Sequence, residues 1–250
     1  MNETINKHRL KLKVSRIIQI LENYLGVPKQ PKQKADPLNM LIATLLSQNT
    51  NDRNSHRAYL CLKQKYPTWE LVAKESNRKI ALAIRSGGMA NQKSKRIKKI
   101  LFEIYRKFGD YDLRFLKRMS DEEIFKLLLE FHGVGIKTAA CVLLFSLGRD
   151  VFPVDTHIHR ICNRLKIVHN CKTPDKTFEQ MRLLVPDGKA YSFHTNLIRF
   201  GRKICRSNHP LCGLCPLIKE CGFVSKKIYQ GSKVSKVFER DVDFMVLDHV

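Results

Sequence analysis

The chain has 250 residues, 43% of them hydrophobic, and a formal net charge of +23. The hydrophobic content supports a packed core and excludes a globally disordered chain, and the length suits one large or two small domains. A positive excess this large favours a polyanionic partner, with nucleic acid first, over a merely solvated surface. No apolar run reaches the ~18–20 residues of a membrane span and the N-terminus lacks a signal-peptide core. We therefore expect no membrane association and no secretion, with a cytoplasmic location, or a nuclear one in a eukaryote.

Hydrophobic residues recur at helical spacing along the chain, without a convincing strand or an internal repeat. A basic amphipathic helix comes first, ended by Gly26 and Pro28, and a second helix begins at Asp36-Pro37. Further helices are predicted over 53–65 and 69–83, twice within 97–130, and over 157–165, 175–184 and 191–204. The sequence thus predicts an all-α fold.

The second helix runs into a polar loop, Leu45–Asp52, with the sequence LLSQNTND. Gln48 and Asn49 carry amide groups that can hydrogen-bond to base edges. The alternative is an ordinary interhelical loop in which Asn51 or Asp52 caps the next helix. The residues alone leave both interpretations open.

Met89 follows Gly87-Gly88 in a short polar loop, and a run of lysines and arginines comes directly after it. A charge run is usually a solvated face, and a loop methionine usually packs inward. An apolar residue at a loop tip beside a basic helix also suits insertion into a duplex. Met89 is therefore a candidate DNA-binding residue.

A glycine-rich turn, His132-Gly133-Val134-Gly135, leads directly into an apolar helix. Glycine lets a foreign backbone approach closely, and the free N–H groups at a helix N-terminus attract phosphate. The turn is therefore a candidate phosphate-binding site.

Lys137 lies in the first turn of the helix that follows, and Asp155 comes eighteen positions later. A cation in a first helical turn opposes the helix dipole, so the position of Lys137 indicates more than a surface charge. Asp155 either caps the helix that begins near Thr156 or carries chemistry, and the two roles are compatible.

Four of the eight cysteines lie within 17 residues, as Cys205-x6-Cys212-x2-Cys215-x5-Cys221. In a cytoplasmic protein such spacing favours a metal site over disulfides or four unrelated thiols. Four thiolates bind either tetrahedral zinc or a cubane cluster, and a single CxxC with longer arms favours [4Fe–4S]. The other cysteines look separately placed, and the apolar contexts of three of them predict core positions: Cys61, Cys141 and Cys162.

HGVGIKTA, then VDTHIHRICNRL, then the four-cysteine pattern together resemble the helix-hairpin-helix DNA glycosylases of the endonuclease III family, over about Pro37–Phe223. The resemblance implies a six-helix barrel domain with the helix-hairpin-helix at 36–148. It also implies an all-α [4Fe–4S] domain formed from both chain ends, 1–35 and 149–224, with DNA bound between the two domains. Residues 225–250 would be a tail of unknown role.

The resemblance further implies a bifunctional DNA N-glycosylase and AP lyase of base excision repair. Lys137 would attack C1′, expel the base and form a Schiff base that permits β-elimination, while Asp155 would stabilise the positive charge at C1′. The turn residues would hold the phosphate backbone through Gly133, Val134 and Gly135. An amide and an apolar residue would enter the duplex from opposite sides: Gln48 or Asn49, and Met89.

The implied partner is double-stranded DNA with a damaged base, an oxidised pyrimidine, or an abasic site, bound by a monomer. Two departures leave the base open: His132 stands where the family usually has proline, and LLSQNTND is closer to the mismatch and methylcytosine branches. The alternatives are a glycosylase for mismatched or deaminated bases (G·T or G·U) and a non-catalytic, metal-containing DNA-binding protein.

Overall fold

A computed structural model describes residues 2–231 together with residues 247 and 250. No strand occurs in this described part of the chain, which confirms the predicted all-α class. None of its helices is both long enough and apolar enough to cross a membrane. The chain divides into two units: one combines Met1–Gln30 with Asp150–Asp243, and the other combines Pro31–Arg149 with Phe244–Val250.

The described residues form twelve α-helices. These are α1 (Asn2–Leu25), α2 (Pro37–Leu46), α3 (Asp52–Lys65), α4 (Trp69–Lys74), α5 (Asn77–Ala83), α6 (Ala90–Phe108), α7 (Asp121–Leu129), α8 (Ile136–Cys141), α9 (Thr156–Arg164), α10 (Pro174–Met181), α11 (Ala190–Lys203) and α12 (Lys226–Gln230). Short 3-10 turns occur at Arg85–Gly87, Arg114–Arg118 and Cys212–Leu214, and a π-helical turn at Val142–Ser146.

Local capping explains why several helices begin where the sequence predicts. Asp36 accepts the N–H of Leu38 at 2.9 Å, directly before Pro37 opens α2. Asn51 caps α3, which confirms the structural interpretation of that residue. Ser120 and Glu123 form the predicted capping box of α7, satisfying two backbone donors reciprocally.

Several predictions of detail were wrong. The predicted helix over 69–83 is two helices, because Ser76 caps a new start at α5. The helix placed from 97 onward begins at Ala90. Cys61 is exposed, whereas Cys141 and Cys162 are buried as predicted. Helix α12 was not predicted, and most of the proposed tail, residues 232–246, lies outside the described residues.

In the Pro31–Arg149 unit the core is built around α2. This helix is buried along nearly its whole length, as expected for a helix that is apolar on all sides. It packs against α3, α6 and α8. Both ends of α2 therefore lead into loops that are anchored on a rigid core.

In the other unit, α1 and α11 pack together and bring residues that are distant in the sequence into one core. The buried face of α1 carries Val14, Ile17 and Leu21. The Asn196 side chain donates to the Gly26 carbonyl at 2.9 Å and so fixes the end of α1 against α11. Helix α9 packs on the same α11.

Candidate functional site

The glycine turn between α7 and α8 is a tight hairpin. The N–H of Val134 donates to the Phe131 carbonyl at 3.0 Å, and Gly133 adopts a φ of +81°, which favours glycine. Gly135 is the N-cap of α8 and offers no capping side chain. Among the described residues, the N–H groups of Gly133 and Gly135 have no acceptor. They are the turn's available donors.

Lys137 is the second residue of α8 and is half-buried, while the residues that follow it in the helix are buried. The helix continues as a π turn in which the Leu147 N–H bonds to the Val142 carbonyl at 3.1 Å. Such π turns often occur at functional sites. The prediction that Lys137 lies in the first helical turn is confirmed by the helix bounds.

Arg96 on α6 joins the polar loop to the hairpin. Its guanidinium donates to Oε1 of Gln48 at 2.8 Å. Its aliphatic part passes beneath Gly133, where a Cβ would come within 2.6 Å of the Arg96 Cδ. Any other side chain at position 133 is therefore disfavoured twice, by the backbone conformation and by the close approach of Arg96.

Lys93, one turn earlier on α6, is almost fully buried at 4% exposure. Its ammonium group donates to the carbonyls of Leu46 and Gly87, both at 2.8 Å. Burial lowers the pKa of Lys93 to about 8, and the neighbouring Arg96 charge acts in the same direction. One side chain thus ties the loop after α2 to the loop before α6.

Asn49 and Met89, which lie on these two loops, are in contact. The Asn49 side-chain amide is 3.6 Å from the Met89 sulfur. Both residues have left-handed backbones, with φ of +54° and +50°, and Met89 remains 48% exposed. Strain of this kind costs on the order of 1–3 kcal/mol per residue and concentrates at functional sites. The interpretation of Met89 as an inward-packed loop residue is thus not supported by its exposure.

Sequence reasoning missed the two residues that organise this region, Lys93 and Arg96. A signal was present for Lys93, because it shares helical spacing with the buried Ile97, Ile100 and Ile104. A lysine on the apolar stripe of a helix indicates a buried amine with hydrogen-bond partners. No comparable pattern marks Arg96, since its contacts depend on two distant loops.

Asp155 belongs to the other unit, where it is the N-cap of α9. Its Oδ1 accepts the Ile158 N–H at 2.8 Å, which confirms the capping interpretation. The carboxylate is half-buried, and its second oxygen has no donor among the described residues. The side chain is thus oriented by one oxygen and can interact through the other.

The four clustered cysteines all line one pocket, together with Arg164 and Phe223. Arg164 donates to the Cys205 sulfur and the Phe223 N–H to the Cys221 sulfur, both at 3.4 Å. Within the described ranges no three His, Cys, Asp or Glu side chains converge on a single metal ion. A cubane cluster binds its thiolates through different irons and needs no such convergence. Four thiols that line one pocket are the donor set that either a tetrahedral zinc ion or a cubane cluster would require.

Burial raises the pKa of Cys215 to about 12 and also raises that of Cys212. Metal binding is what would hold such thiols as thiolates. Arginine side chains of α9 clamp the segment that starts this pocket: Arg160 donates to the Cys205 carbonyl at 2.8 Å and Arg164 to the Arg206 carbonyl at 2.7 Å. The first cysteine is thereby fixed to the helix that Asp155 caps.

Comparison with known proteins finds related sequences and folds. A family model described as HhH-GPD superfamily base excision DNA repair protein matches residues 42–187. The chain is 35% identical to endonuclease III of Thermotoga maritima over 80% of its own length and 89% of that protein. It is 39% identical to a candidate DNA glycosylase of Arabidopsis thaliana over 67% of its own length, and spans 57% of that relative. A solved complex of endonuclease III with DNA shares the fold, with a TM-score of 0.75, 24% identity and coverage of 87% and 98% of the two chains.

These similarities define a class of protein, the enzymes of base excision repair that act as DNA glycosylases and AP lyases. The family match covers more than half of the sequence. The chain belongs to the HhH-GPD superfamily of base excision DNA repair proteins.

Proposed function

We propose that this protein removes a damaged base, an oxidised pyrimidine, from double-stranded DNA and then nicks the strand through a Schiff base on Lys137. The observation that carries the proposal is the position of this amine, directly behind a glycine turn with two available N–H donors. An amine held next to a phosphate-binding turn is within reach of the sugar attached to that phosphate. The net charge of +23 supports DNA as the partner.

Backbone binding is the first step. The N–H groups of Gly133 and Gly135 would hold one phosphate without reading sequence. The Val134 N–H is already bonded to the Phe131 carbonyl, so Val134 would contribute by shaping the turn and not as a donor.

Base flipping is the second step. The glycosidic carbon is hidden in a stacked duplex, and extruding the nucleotide costs a few kcal/mol. Met89 and Asn49 are adjacent, and Met89 is exposed, so the pair can fill the space that the base leaves. Arg96 holds Gln48 beside them and orients its amide.

The chemistry follows from the amine. The neutral Lys137 nitrogen attacks C1′ as the N-glycosidic bond breaks, and the base leaves with the electron pair and takes up a proton. Loss of a proton from the nitrogen and opening of the sugar give a protonated Schiff base. Removal of a C2′ proton then expels the 3′ phosphate by β-elimination, and water releases the lysine.

Asp155 would stabilise the positive charge that develops at C1′ and assist proton transfer at the leaving base. One carboxylate oxygen is bonded to the Ile158 N–H, which orients the other. Capping and catalysis are thus compatible in a single side chain.

The four cysteines, Cys205, Cys212, Cys215 and Cys221, would hold a [4Fe–4S] cluster. When bound, the cluster would join the four cysteines to one another and so fix the loop that carries them. The basic segment after Cys205 would then contact DNA. In this proposal the Pro31–Arg149 unit corresponds to the six-helix barrel domain and the other unit to the cluster domain.

A second candidate is a glycosylase for mismatched or deaminated bases, such as G·T or G·U. The loop sequence LLSQNTND favours it, since it is closer to the mismatch branch than to the oxidised-pyrimidine type. The same fold and lysine would serve both, and the difference would lie in the base pocket.

Borohydride trapping tests the proposal. Duplexes carrying thymine glycol, uracil, a G·T mismatch or an abasic site are incubated with wild type, Lys137→Ala and Lys126→Ala, an exposed lysine on α7. We expect a covalent adduct on thymine glycol with wild type and Lys126→Ala, reduced by roughly 10³-fold or more in Lys137→Ala.

An adduct on G·T or uracil alone would replace the substrate by the second candidate. Equal adduct from Lys137→Ala would reject the assigned nucleophile. Strand-intact base release without an adduct would reject the lyase step.

A further inference from the structure

A cavity of about 430 Å³ opens on the unit that contains α1, and the proposed repair chemistry does not use it. Five cationic side chains line it: Arg9, Lys13 and Arg16 from α1, Lys166 from the turn after α9, and Lys219 from the segment 205–221 that carries the four clustered cysteines. Among the described residues, these walls carry a single carboxylate, that of Glu220. Three separated segments of the chain thus converge to make one strongly positive concavity.

Most of this charge is unpaired. Glu220 lies 3.2 Å from Arg16 and forms an ion pair with it. In the described part of the chain, Arg9, Lys166 and Lys219 have no carboxylate within ion-pair distance. Positive groups gathered around one concavity raise the electrostatic potential there and repel one another. A bound anion would relieve that repulsion.

The cations are held in place by their surroundings. The Lys13 ammonium donates to the Leu165 carbonyl at 2.6 Å, which leaves two of its three N–H groups for a ligand. The Lys166 side chain lies against Gly222, where a Cβ would come 2.5 Å from its Cγ. These two lysines therefore have restricted positions, unlike isolated surface lysines.

The segment that carries His169 also lines the cavity, and it is fixed in place. The backbone of His169 is clamped by Gln180, whose side chain accepts the His169 N–H and donates to the His169 carbonyl, both at 2.9 Å. The exposed ring of His169 lines the cavity and adds a further hydrogen-bonding group. Leu10 and Leu12 give the cavity an apolar wall next to the charges, and Leu12 is 56% exposed.

Size and lining together select a ligand class. The volume falls within the range of small-molecule pockets, about 300–1,000 Å³. Several cations on three walls suit a compact, multiply charged phosphate, and the leucines suit an attached ring.

We propose that this cavity binds a small polyphosphate compound, such as a nucleoside triphosphate, at a site separate from the glycine turn. The site belongs to one unit and needs neither Lys137 nor Asp155. Binding of the polyphosphate can therefore be tested independently of the proposed repair activity.

Thermal unfolding of the full chain with its cluster, in rising tripolyphosphate or ATP without divalent metal, tests the proposal. The variant Lys166→Ala/Lys219→Ala removes two lining cations. The control Lys172→Ala/Lys176→Ala removes two exposed cations from the same unit, outside the cavity. We expect a saturable rise in Tm of about 5 °C for wild type and control, and affinity about tenfold weaker in the cavity variant.

Two outcomes would overturn the proposal. One is an equal rise for all three proteins, or a rise matched by sodium chloride of the same ionic strength, which indicates general screening. The other is the absence of any saturable phosphate effect on wild type. Binding of an undamaged duplex then reveals whether the cavity variant alone loses affinity for DNA. Such a loss would assign these lysines to the DNA backbone. A larger effect of ATP than of tripolyphosphate would identify the nucleotide as the source of the phosphate.

Discussion

Each unit of this protein uses long cationic side chains to hold a loop by its backbone carbonyls. In the Pro31–Arg149 unit, Lys93 donates to the carbonyls of Leu46 and Gly87. In the other unit, Arg160 and Arg164 donate to carbonyls at and after Cys205. The two regions differ in the other groups that can fix their loops, because only the loop that begins at Cys205 carries clustered thiols.

Buried carbonyls without donors cost about 1–3 kcal/mol each, so both devices stabilise irregular backbone. The loops around Met89 depend on protein groups alone. The cysteine segment, 205–221, also carries four thiols that the proposed cluster would join, and burial raises the pKa of two of them, Cys212 and Cys215. We therefore expect the first region to be insensitive to loss of metal and the second to depend on it.

The largest effect should follow from Cys215→Ser. Loss of one of four ligands should abolish iron incorporation and lower the Tm of this unit by roughly 10 °C. Iron analysis and hydrogen exchange followed by mass spectrometry measure this, with protection lost over 205–221 and retained in α8. Cys171→Ser, a buried cysteine outside the pocket, should keep its iron. Equal loss of protection in α8 would contradict the expectation that only the cysteine segment depends on the metal.

Lys93→Met should come next. The substitution leaves two carbonyls without their donor and should lower the free energy of unfolding by about 2–4 kcal/mol. Urea unfolding measures the change, and Lys95→Met, exposed on the same helix, should change stability by less than about 0.5 kcal/mol. Similar losses for both variants would mean that burial of Lys93 does not hold the loops.

Comparing Gly133→Ala with Gly109→Ala should separate the effect of backbone strain from the effect of displacing Arg96. Gly109 also has a positive φ, of +73°, but a Cβ there meets nothing within 4 Å, so Gly109→Ala is the matched control. Both should lose about 1 kcal/mol of stability from strain. Only Gly133→Ala should also bind an abasic-site duplex about tenfold more weakly by fluorescence anisotropy. Equal affinities would argue against a role of Arg96 beneath the turn.

The last effect concerns pH. The pKa of Lys93 is about 8 in the folded protein against an ordinary value of 10.5, so the unfolded chain binds more protons between these values. Its contribution to the free energy of unfolding should therefore rise with pH across that window and be constant below it.

Comparing wild type with Lys93→Met by urea unfolding at several pH values isolates this term. Lys13 and Lys63 also have pKa values lowered by burial, but they titrate in both proteins and cancel in the difference. A stability difference that stays constant or shrinks above pH 8 would show that Lys93 does not titrate as described.

Much of the local structure was predictable because its causes are local. Asp36, Ser120 and Thr173 cap helices within three residues of themselves, so each start is visible in the sequence. Cys61 was misassigned because apolar neighbours do not reveal which face of α3 is buried. The cap at Ser76, which divides residues 69–83 into two helices, is also local, and the prediction of one helix overlooked it.

The sequence by itself determined the all-α class, the position of Lys137 behind its glycine turn, and the spacing of the four cysteines. Only the tertiary structure decided that Arg96 reaches both Gln48 and Gly133, and that Asn49 touches Met89. These partners lie 40 or so residues apart along the chain, and no local preference encodes such contacts. They form because α2 and α6 pack in one core and carry their loops to the same place.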